Sequence, residues 1–485
     1  MAITAPLPIV TEPEPSSPVA QTETQADSPD AAPTFVSVTE PPAVSATLAA
    51  GEALDARRKR GERVLPMAFG EAGVPAAPIL RYALAAASHQ NGYGPVAGTE
   101  ALREAAAGYW TRRGLPTSPG DVVCGPGSKA LLYGLLLSLG SSSGSGSGSR
   151  SGSGSGSGPD SVDVAIPQPS WVSYAAQASL TGVRPVHVPV PAGVGGVPAA
   201  GGVPDPELLS AAADAARSEG RRIGAVIVTL PDNPTGTLAG PEIVRALCEV
   251  ARRHDMLIIS DEIYRDLAFA GPGAVTSPAS LAPERTVVTS GLSKNLALGG
   301  WRLGVARLPG SSSALASLRA ALLATGSEIW SAPAAPVQQA AALAFEELPD
   351  ITERMKVSRR LHGRIAREVA CRFAAAGALV APPAGAFYLY PDFGPHRELL
   401  AGRYGVRTSG DLAALLLDRY GIGVLPGSAF GDDEEALRMR VATSRLYGDT
   451  PSRQEAALAS ANPAALAWIA ARMDWISESL TDLVR

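Results

Sequence analysis

A lysine at the end of a predicted strand is the residue of this sequence best placed to do chemistry. The segment 286–289 (TVVT) is β-branched and predicts a buried strand, and small residues then turn the chain at Lys294. Lysine is rare here, since the others are Lys59, Lys129 and Lys356. A partly desolvated lysine has a lowered pKa, and its neutral amine attacks carbonyl groups to form a Schiff base. Taken alone, the segment is equally compatible with a surface lysine after a strand.

Three segments offer groups that suit a phosphorylated aromatic ligand. The glycine-rich turn at 125–130 (GPGSKA) begins a predicted helix, where free backbone N–H groups and the helix dipole favour a phosphate. Arg302, in 300–304 (GWRLG), can bind a phosphate through two parallel hydrogen bonds. Trp171 follows a predicted strand and can stack on a flat ring, although a core tryptophan is the more common explanation. Each of these signals is weak by itself.

Polar residues at two further strand ends complete the set. Asn233, in the turn 232–236 (DNPTG), can donate to a phenolate oxygen. In 260–264 (SDEIY), Asp261 can pair with a protonated ring nitrogen, and Tyr264 can donate to the same oxygen as Asn233. A Schiff-base amine, a carboxylate for a pyridinium, two donors to one oxygen and a phosphate cradle together describe pyridoxal 5′-phosphate (PLP). Their joint occurrence along alternating strands has no comparable structural explanation.

Strand and helix patterns alternate in the middle of the chain and must position these residues. Such alternation predicts an α/β fold, in which helices cover both faces of a mostly parallel sheet. Ligands of such sheets bind at the carboxyl ends of the strands, where most of the polar segments fall. The predicted strands are 122–124, 162–166, 186–190, 223–230, 256–260, 286–289 and 303–308, and the clearest helices are 206–218 and 241–254.

Composition divides the chain into a tail, two folded domains and an insert. The first residues lack lysine and arginine and are rich in Pro, Ala, Thr, Ser and Glu, which is typical of a disordered tail rather than of a targeting peptide. A length of 485 residues exceeds what one small core serves. We therefore expect a disordered tail at 1–50, a segment at 51–90 that joins the small domain, a large PLP-binding domain at 91–332 with a flexible Gly/Ser-rich insert at 140–158, and a small α+β domain at 333–485.

Charge and cysteine content narrow the choice of partners. The net charge is −5 at pH 7, which argues against nucleic acid or an anionic membrane as the main partner. The cysteines lie far apart with no histidine beside them, so neither a disulfide framework nor a metal site is expected, and a reducing compartment fits. No stretch approaches a transmembrane run. These features predict a cytoplasmic protein.

The polar segments resemble the class I/II aminotransferases of PLP fold type I, such as the aspartate and aromatic amino-acid aminotransferases. The resemblance extends from about Gly70 to about Leu446, and its most specific parts are 232–236, 260–264 and 293–304. It implies an enzyme that moves the amino group of an L-amino acid to a 2-oxo acid in a ping-pong cycle through Lys294. It also implies a homodimer with shared active sites.

The resemblance assigns roles at matched positions. Lys294 matches the Schiff-base lysine and Asp261 the partner of the ring nitrogen, while Asn233 and Tyr264 match the ligands of the ring oxygen. The expected cofactor-binding set is completed by Gly127, Ser128, Lys129, Trp171, Ser293, Arg302 and Tyr93, of which Tyr93 would reach the phosphate of the neighbouring subunit. Gly70 and Asn233 match residues at the substrate site.

The substrate-binding arginine and one phosphate-binding position differ from a simple match to the family pattern. Arg438 and Arg440 share a face at strand period two, and the family pattern favours Arg438 as the residue that binds the substrate α-carboxylate. Many family members place a phosphate-binding serine three residues before the lysine, where this chain has Gly291. Ser290 or Ser293 could compensate in part. Nothing in the sequence selects the amino donor.

Two other functions stay open at this point. The resemblance also admits PLP-dependent lyases, cyclases and oxidases that act on amino acids, because they share the residues around the cofactor. Stoichiometric transfer of the amino group to an oxo acid distinguishes transamination from these. Aminotransferase-like domains also occur in transcription regulators behind a helix-turn-helix, but only a non-basic tail precedes the fold here, so DNA binding is not expected.

Overall fold

A seven-stranded sheet is the central feature of the fold. The computed structural model describes residues 45–141, 162–198, 200–310 and 312–485. Its strands are β1 (Leu65–Pro66), β2 (Val122–Gly125), β3 (Val162–Gln168), β4 (Arg184–Pro189), β5 (Arg222–Thr229), β6 (Leu257–Asp261), β7 (Thr286–Gly291), β8 (Gly304–Arg307), β9 (Tyr388–Leu389), β10 (Ile422–Gly423), β11 (Leu425–Pro426) and β12 (Met439–Ala442). The large sheet has the order β2-β8-β7-β6-β5-β3-β4, in which β8 is antiparallel to β2 and to β7 and all other neighbouring pairs are parallel. The predicted α/β class with a mostly parallel sheet is confirmed.

Helices cover both faces of this sheet. The helices of the described chain, including those that lie outside the large sheet, are α1 (Ala46–Lys59), α2 (Pro78–Ala86), α3 (Glu100–Thr111), α4 (Ser128–Ser141), α5 (Ser173–Leu180), α6 (Pro206–Ser218), α7 (Pro241–Arg253), α8 (Pro278–Leu281), α9 (Ser313–Ile329), α10 (Ala335–Glu346), α11 (Pro349–Ala375), α12 (Arg397–Tyr404), α13 (Ser409–Tyr420), α14 (Pro451–Ala459) and α15 (Ala467–Leu483). In β5, Ala225 and Ile227 pack with α4 and α9, whereas Val226 and Val228 pack with α6 and α7. Burial on both faces explains why this strand is a continuous apolar run. No helix in the described part of the chain is long and apolar enough to cross a membrane.

A further apolar cluster lies outside the large sheet. β1 pairs in parallel with β10, and β11, β12 and β9 form an antiparallel sheet in that order. Helices α11, α13 and α15 contribute Phe373, Leu416 and Ile476 to the cluster beside these strands. The mixture of helices with short strands matches the smaller α+β part of the predicted fold class.

The predicted tail and insert fall largely outside the described residues. α1 begins at Ala46, so the last residues of the tail predicted at 1–50 are helical, which corrects that boundary. Residues 1–44 lie outside the described residues. The same holds for 142–161, which include most of the Gly/Ser insert predicted at 140–158.

Packing also bears on the predicted division at residue 333. Leu80 of α2 and Phe345 of α10 belong to one apolar cluster with Val288 of β7. α10 therefore packs with the large sheet, and the change from one cluster to the other falls within α11 instead. Within the segment 51–90, β1 packs in the apolar cluster outside the large sheet, whereas α2 packs against the large sheet. The segment thus connects both parts of the fold.

Candidate active site

A cavity of about 330 Å³ opens at the carboxyl ends of β5, β6 and β7. This volume is typical of a small-molecule site. The strand-end wall consists of these strand ends and the start of α4, and the facing wall consists of the first turn of α1, segment 69–71, Tyr388 and Arg440. Most of the predicted site residues line the cavity, namely Gly70, Ser128, Lys129, Trp171, Asn233, Asp261, Tyr264, Ser293, Lys294 and Arg302.

Lys294 lies in the turn after β7, where it is half-buried. Its Nζ donates a hydrogen bond of 2.6 Å to the carbonyl oxygen of Gly70. Burial lowers the pKa of Lys294 to about 8, and the charge of Arg440 acts in the same direction. A useful fraction of neutral amine is therefore present near neutral pH. The next residue, Asn295, anchors the turn by donating to the buried Asp266 carboxylate at 2.8 Å, a contact that sequence reasoning does not identify.

Asp261 belongs to a row of polar residues across three strands. Thr229 of β5, Asp261 of β6 and Thr289 of β7 are register partners at the strand ends. One carboxylate oxygen of Asp261 accepts from Thr289 Oγ1 at 3.2 Å, and the other accepts from the Tyr174 hydroxyl at 2.9 Å. Burial raises the pKa of Asp261 to about 6, whereas the hydrogen bond from Tyr174 lowers it. A positive charge beside this carboxylate would favour its ionised form.

Tyr174 lines the cavity and contacts Asp261, although the sequence analysis assigns it no role. It follows Trp171 by three residues, and the two ring centroids lie 5.2 Å apart in an edge-to-face contact. Trp171 in turn lies under Lys129, whose Nζ is 4.9 Å from the indole ring centroid. Residues three apart on a helical turn lie near each other, so the spacing itself was a usable signal.

The start of α4 and Arg302 form the anion-binding end of the cavity. Ser128 and Lys129 are the first residues of α4, and both line the cavity. Gly127 has φ +90°, and a Cβ at this position would overlap the Arg302 guanidinium. Glycine therefore shapes the turn without lining the cavity itself. Free N–H groups at a helix start together with a guanidinium favour a phosphate.

Close packing explains the glycine at position 291, where the family resemblance leads us to expect a serine. It pairs with Gly304 across β7 and β8, and a Cβ at Gly291 would lie 2.8 Å from the carbonyl oxygen of Leu303. A Cβ at Gly304 would overlap the backbone nitrogen of Ser128, so small residues let α4 approach β8. Ser293 lines the cavity, while Ser290 is buried in β7 outside it. Of the two serines, Ser293 is the one positioned to compensate.

The structure places Arg440, and not the predicted Arg438, in the cavity. Arg440 lines the cavity and is buried, and it donates to Asn233 Oδ1 at 3.0 Å and to the carbonyl oxygen of Ala68 at 2.6 Å. Arg438 instead forms ion pairs outside the cavity with Asp392 at 2.9 Å and Asp432 at 3.2 Å. Strand period two predicts that both arginines lie on one face, but Arg438 forms ion pairs with two carboxylates and does not reach the cavity. Asp392 is 46 residues from Arg438 in the sequence, and neither it nor Asp432 belongs to the motif around the two arginines.

Tyr264 and Asn233 form hydrogen bonds to Tyr388 and Arg440 of the facing wall, and the sequence analysis predicted neither partner as a site residue. The hydroxyl of Tyr264 lies 2.8 Å from that of Tyr388. Burial raises the pKa of Tyr264 well above its usual value, so its hydroxyl stays protonated and can donate. A Cβ at Gly70 would overlap the Tyr388 hydroxyl, which explains why a glycine is needed there. Glu71 also lines the cavity beside Gly70.

Two parts of the site depend on segments that are remote in sequence. Thr47 and Leu48, in the first turn of α1, line the cavity although the sequence assigned them to the tail. Tyr93 lies outside the cavity and is 95% exposed, so its role toward a neighbouring subunit stays a prediction.

These donors and acceptors fit PLP. Nε of Arg440 is buried without a hydrogen-bond partner among the described residues. An anionic ligand in the cavity would supply the acceptor that this N–H group lacks. The phosphate end at Ser128 and Arg302, the buried Asp261 carboxylate and the half-buried Lys294 amine all face one cavity. Phosphate, ring nitrogen and aldehyde are the three groups of PLP that require such partners.

Fold and cavity together define a PLP-dependent enzyme of fold type I. Residues 70–446 match the family of aminotransferase class I and II. The chain is 32% identical over 406 residues to an aspartate aminotransferase of Geobacillus stearothermophilus, covering 82% of this chain and 92% of that protein. It is 30% identical to a probable aspartate/prephenate aminotransferase of Thermus aquaticus, covering 80% and 89% respectively. The chain therefore belongs to the class I and II aminotransferases.

Solved structures show the same fold. The aspartate aminotransferase of Thermus thermophilus, determined with maleate, superposes with a TM-score of 0.69 at 26% identity, over 86% of this chain and 95% of that chain. The protein is a PLP-dependent aminotransferase that uses an amino acid and a 2-oxo acid as substrates. The lyase, cyclase and oxidase alternatives are not favoured by these relatives.

Proposed function

We propose that Lys294, Asp261, Tyr264 and Arg440 carry out the amino transfer in this cavity. One observation carries the proposal: a half-buried lysine and a buried arginine with an orphaned Nε line the same cavity, and Asn233 links the arginine to the strand-end wall. Arg440 would bind the substrate α-carboxylate and so hold Cα beside Lys294. Gly70, next to Tyr388, would leave room for the substrate.

Each remaining residue would hold a stated part of the cofactor. Ser128, Lys129, Ser293 and Arg302 would bind the phosphate at the turn that Gly127 shapes, and Trp171 would stack on the ring. When bound, PLP supplies a ring that accepts the electron pair left at Cα. The Nζ of Lys294 would take the proton from Cα, which requires its neutral form. Asp261 would keep the ring nitrogen protonated, and Asn233 and Tyr264 would donate to the ring oxygen.

We also propose a homodimer, in which Tyr93 reaches the phosphate of the neighbouring subunit. The exposure of this side chain supports an interface there, and the ring of Tyr82 is 74% exposed as well. Sedimentation analysis of the purified enzyme tests this, because a monomer at assay concentrations would contradict it. We further propose that residues 91–332, with α2 and α10, bind the cofactor, and that the enzyme acts in the cytoplasm.

The relatives are named for aspartate and prephenate, so we propose aspartate as the first donor to test and 2-oxoglutarate and prephenate as acceptors. A panel of ¹⁵N-labelled amino acids should transfer label to the oxo acid with one donor consumed for each product formed. Lys294→Ala serves as the inactive control. Release of ammonia or consumption of oxygen in place of transfer would contradict the proposed function.

A further inference from the structure

A groove of about 620 Å³ runs along α11 and shares no lining residue with the cofactor cavity. Four arginines of α11 line it, namely Arg359, Arg360, Arg364 and Arg367. Phe269 and residues of the segment that joins α14 to α15 form the opposite side. Among the described residues, no aspartate or glutamate lines this arginine groove.

Positive charge in the arginine groove is largely unbalanced. Arg360 pairs with the exposed Glu353 at 3.3 Å. The other three arginines have neutral partners within the described chain: the backbone oxygen of Asp266 for Arg359 (3.3 Å), Asn462 Oδ1 for Arg364 (3.0 Å) and the Phe269 ring for Arg367 (5.6 Å to the centroid). Burial lowers the pKa of Arg359, the nearby Asp266 carboxylate raises it, and the charge of Arg360 lowers it. Because no carboxylate lines the groove among the described residues, an anion there would be attracted by the four guanidinium groups.

The floor of the arginine groove is kept open by a glycine. Arg359, Gly363 and Arg367 follow one another at intervals of four residues, so they share one face of α11. A Cβ at Gly363 would lie 3.2 Å from the Phe269 ring and 3.4 Å from Nη1 of Arg367. Any side chain at this position would therefore press on the groove's lining or occupy its floor.

We propose that the arginine groove binds a small multivalent oxyanion, carrying phosphate or carboxylate groups, at a site separate from the substrate. Guanidinium groups bind such oxygens through paired hydrogen bonds, and several around one concave surface favour more than one anionic group. The groove joins Phe269, five residues after Tyr264, to the segment between α14 and α15. Phe269, Leu361 and Leu458 all pack in the apolar cluster that α11 and α15 share, so the occupant would lie on that part of the fold.

Titration of the PLP-loaded enzyme with pyrophosphate and with citrate tests this site by calorimetry at low ionic strength. The wild type should show saturable binding of at least one probe, and which probe binds more tightly separates phosphate from carboxylate recognition. The variant R364Q/R367Q should bind at least tenfold more weakly. The matched control R217Q/R245Q removes the same charge from exposed arginines of α6 and α7 and should bind like the wild type. Equal weakening in both variants, or no saturable binding by the wild type, would overturn the proposal.

A second measurement uses only the wild-type enzyme, so it does not require any variant to fold. Phenylglyoxal modifies accessible arginines, and peptide mass mapping reports the rate at each site. The better probe should protect Arg364 and Arg367 in the wild-type holoenzyme while Arg217 and Arg245 react at an unchanged rate. Equal rates at all four arginines with and without the probe would also overturn the proposal. Neither experiment depends on transamination, so its outcome is independent of the proposed catalytic roles.

Discussion

The two walls of the cavity are built in different ways. On the strand-end wall, Asn233, Asp261 and Lys294 each lie within a few residues of a strand that the sequence predicts. On the facing wall, Leu48 and Arg440 come from opposite ends of the chain and meet only through packing. The strand-end wall carries the groups for the cofactor, whereas the facing wall is open to the substrate. Substitutions on the first wall should therefore affect cofactor chemistry, and those on the second should affect substrate affinity.

The largest effect is expected on the strand-end wall. Lys294→Ala should abolish the near-visible absorbance of lysine-linked PLP and lower turnover by several orders of magnitude, because no other amine sits in the same turn. Absorbance spectra and single-turnover kinetics measure both. Lys356→Ala, which removes an exposed lysine of α11, is the control and should behave like the wild type. A borohydride-reducible link to PLP in Lys294→Ala would move the assignment to Lys129.

On the facing wall, Arg440→Lys should lower kcat/KM about a hundredfold, or ~2.7 kcal/mol, mainly through the KM of both substrates. Both carry the α-carboxylate, and an ammonium replaces a bidentate guanidinium poorly. Its PLP absorbance should change little. Arg438→Lys is the matched variant and should change kcat/KM by less than about threefold, because Asp392 and Asp432 already engage that arginine. A larger loss at Arg438 would return the role to the position that the family motif favours.

The pH dependence of cofactor loading probes the strand-end wall without a substitution. The pKa of Lys294 is lowered to about 8, and only the neutral amine is nucleophilic. The rate at which the apo-enzyme bonds PLP should therefore rise about tenfold between pH 7 and pH 9 and then level off. Stopped-flow absorbance measures it. A rate that still rises steeply above pH 10 would mean that the lysine keeps its ordinary pKa.

Tyr174→Phe should have a moderate effect that stays on the strand-end wall. Its hydroxyl donates to Asp261, and losing one hydrogen bond to a charged group should lower kcat by up to about tenfold, since Thr289 still donates. KM for the amino donor should change little. An unchanged kcat together with a raised KM would assign Tyr174 to substrate binding instead.

The smallest effect is expected at the start of α1. Leu48→Ala should change kcat/KM by about twofold to threefold in a way that differs among donors, with the PLP spectrum unchanged. Leu180→Ala, at an exposed leucine that ends α5, is the control. The same change for every donor would show that Leu48 supports the fold rather than selecting the side chain.

Much of the fold follows from local patterns. Helix 206–218 and the strands beginning at 122, 162 and 286 match their predicted starts, because apolar periodicity and proline at a helix start are local signals. The division at 333 was less accurate, since the apolar face of α10 does not reveal which of two clusters it joins. The predicted N-terminal boundary was inaccurate for a similar reason, because the helix that begins at Ala46 has only a weak apolar face that the sequence could reveal.

The sequence by itself determined the strand ends and the chemical groups they carry, because parallel strands bring their carboxyl ends to one edge wherever the sheet forms. Only the tertiary structure decided which arginine faces the cavity, since Asp392 and Asp432 capture Arg438 while Arg440 reaches Asn233. It likewise decided that Tyr174 supports Asp261 and that α1 closes the facing wall. Apart from the contact of Arg438 with Asp432, these contacts join residues far apart in the chain, and their partners are set by packing geometry rather than by spacing.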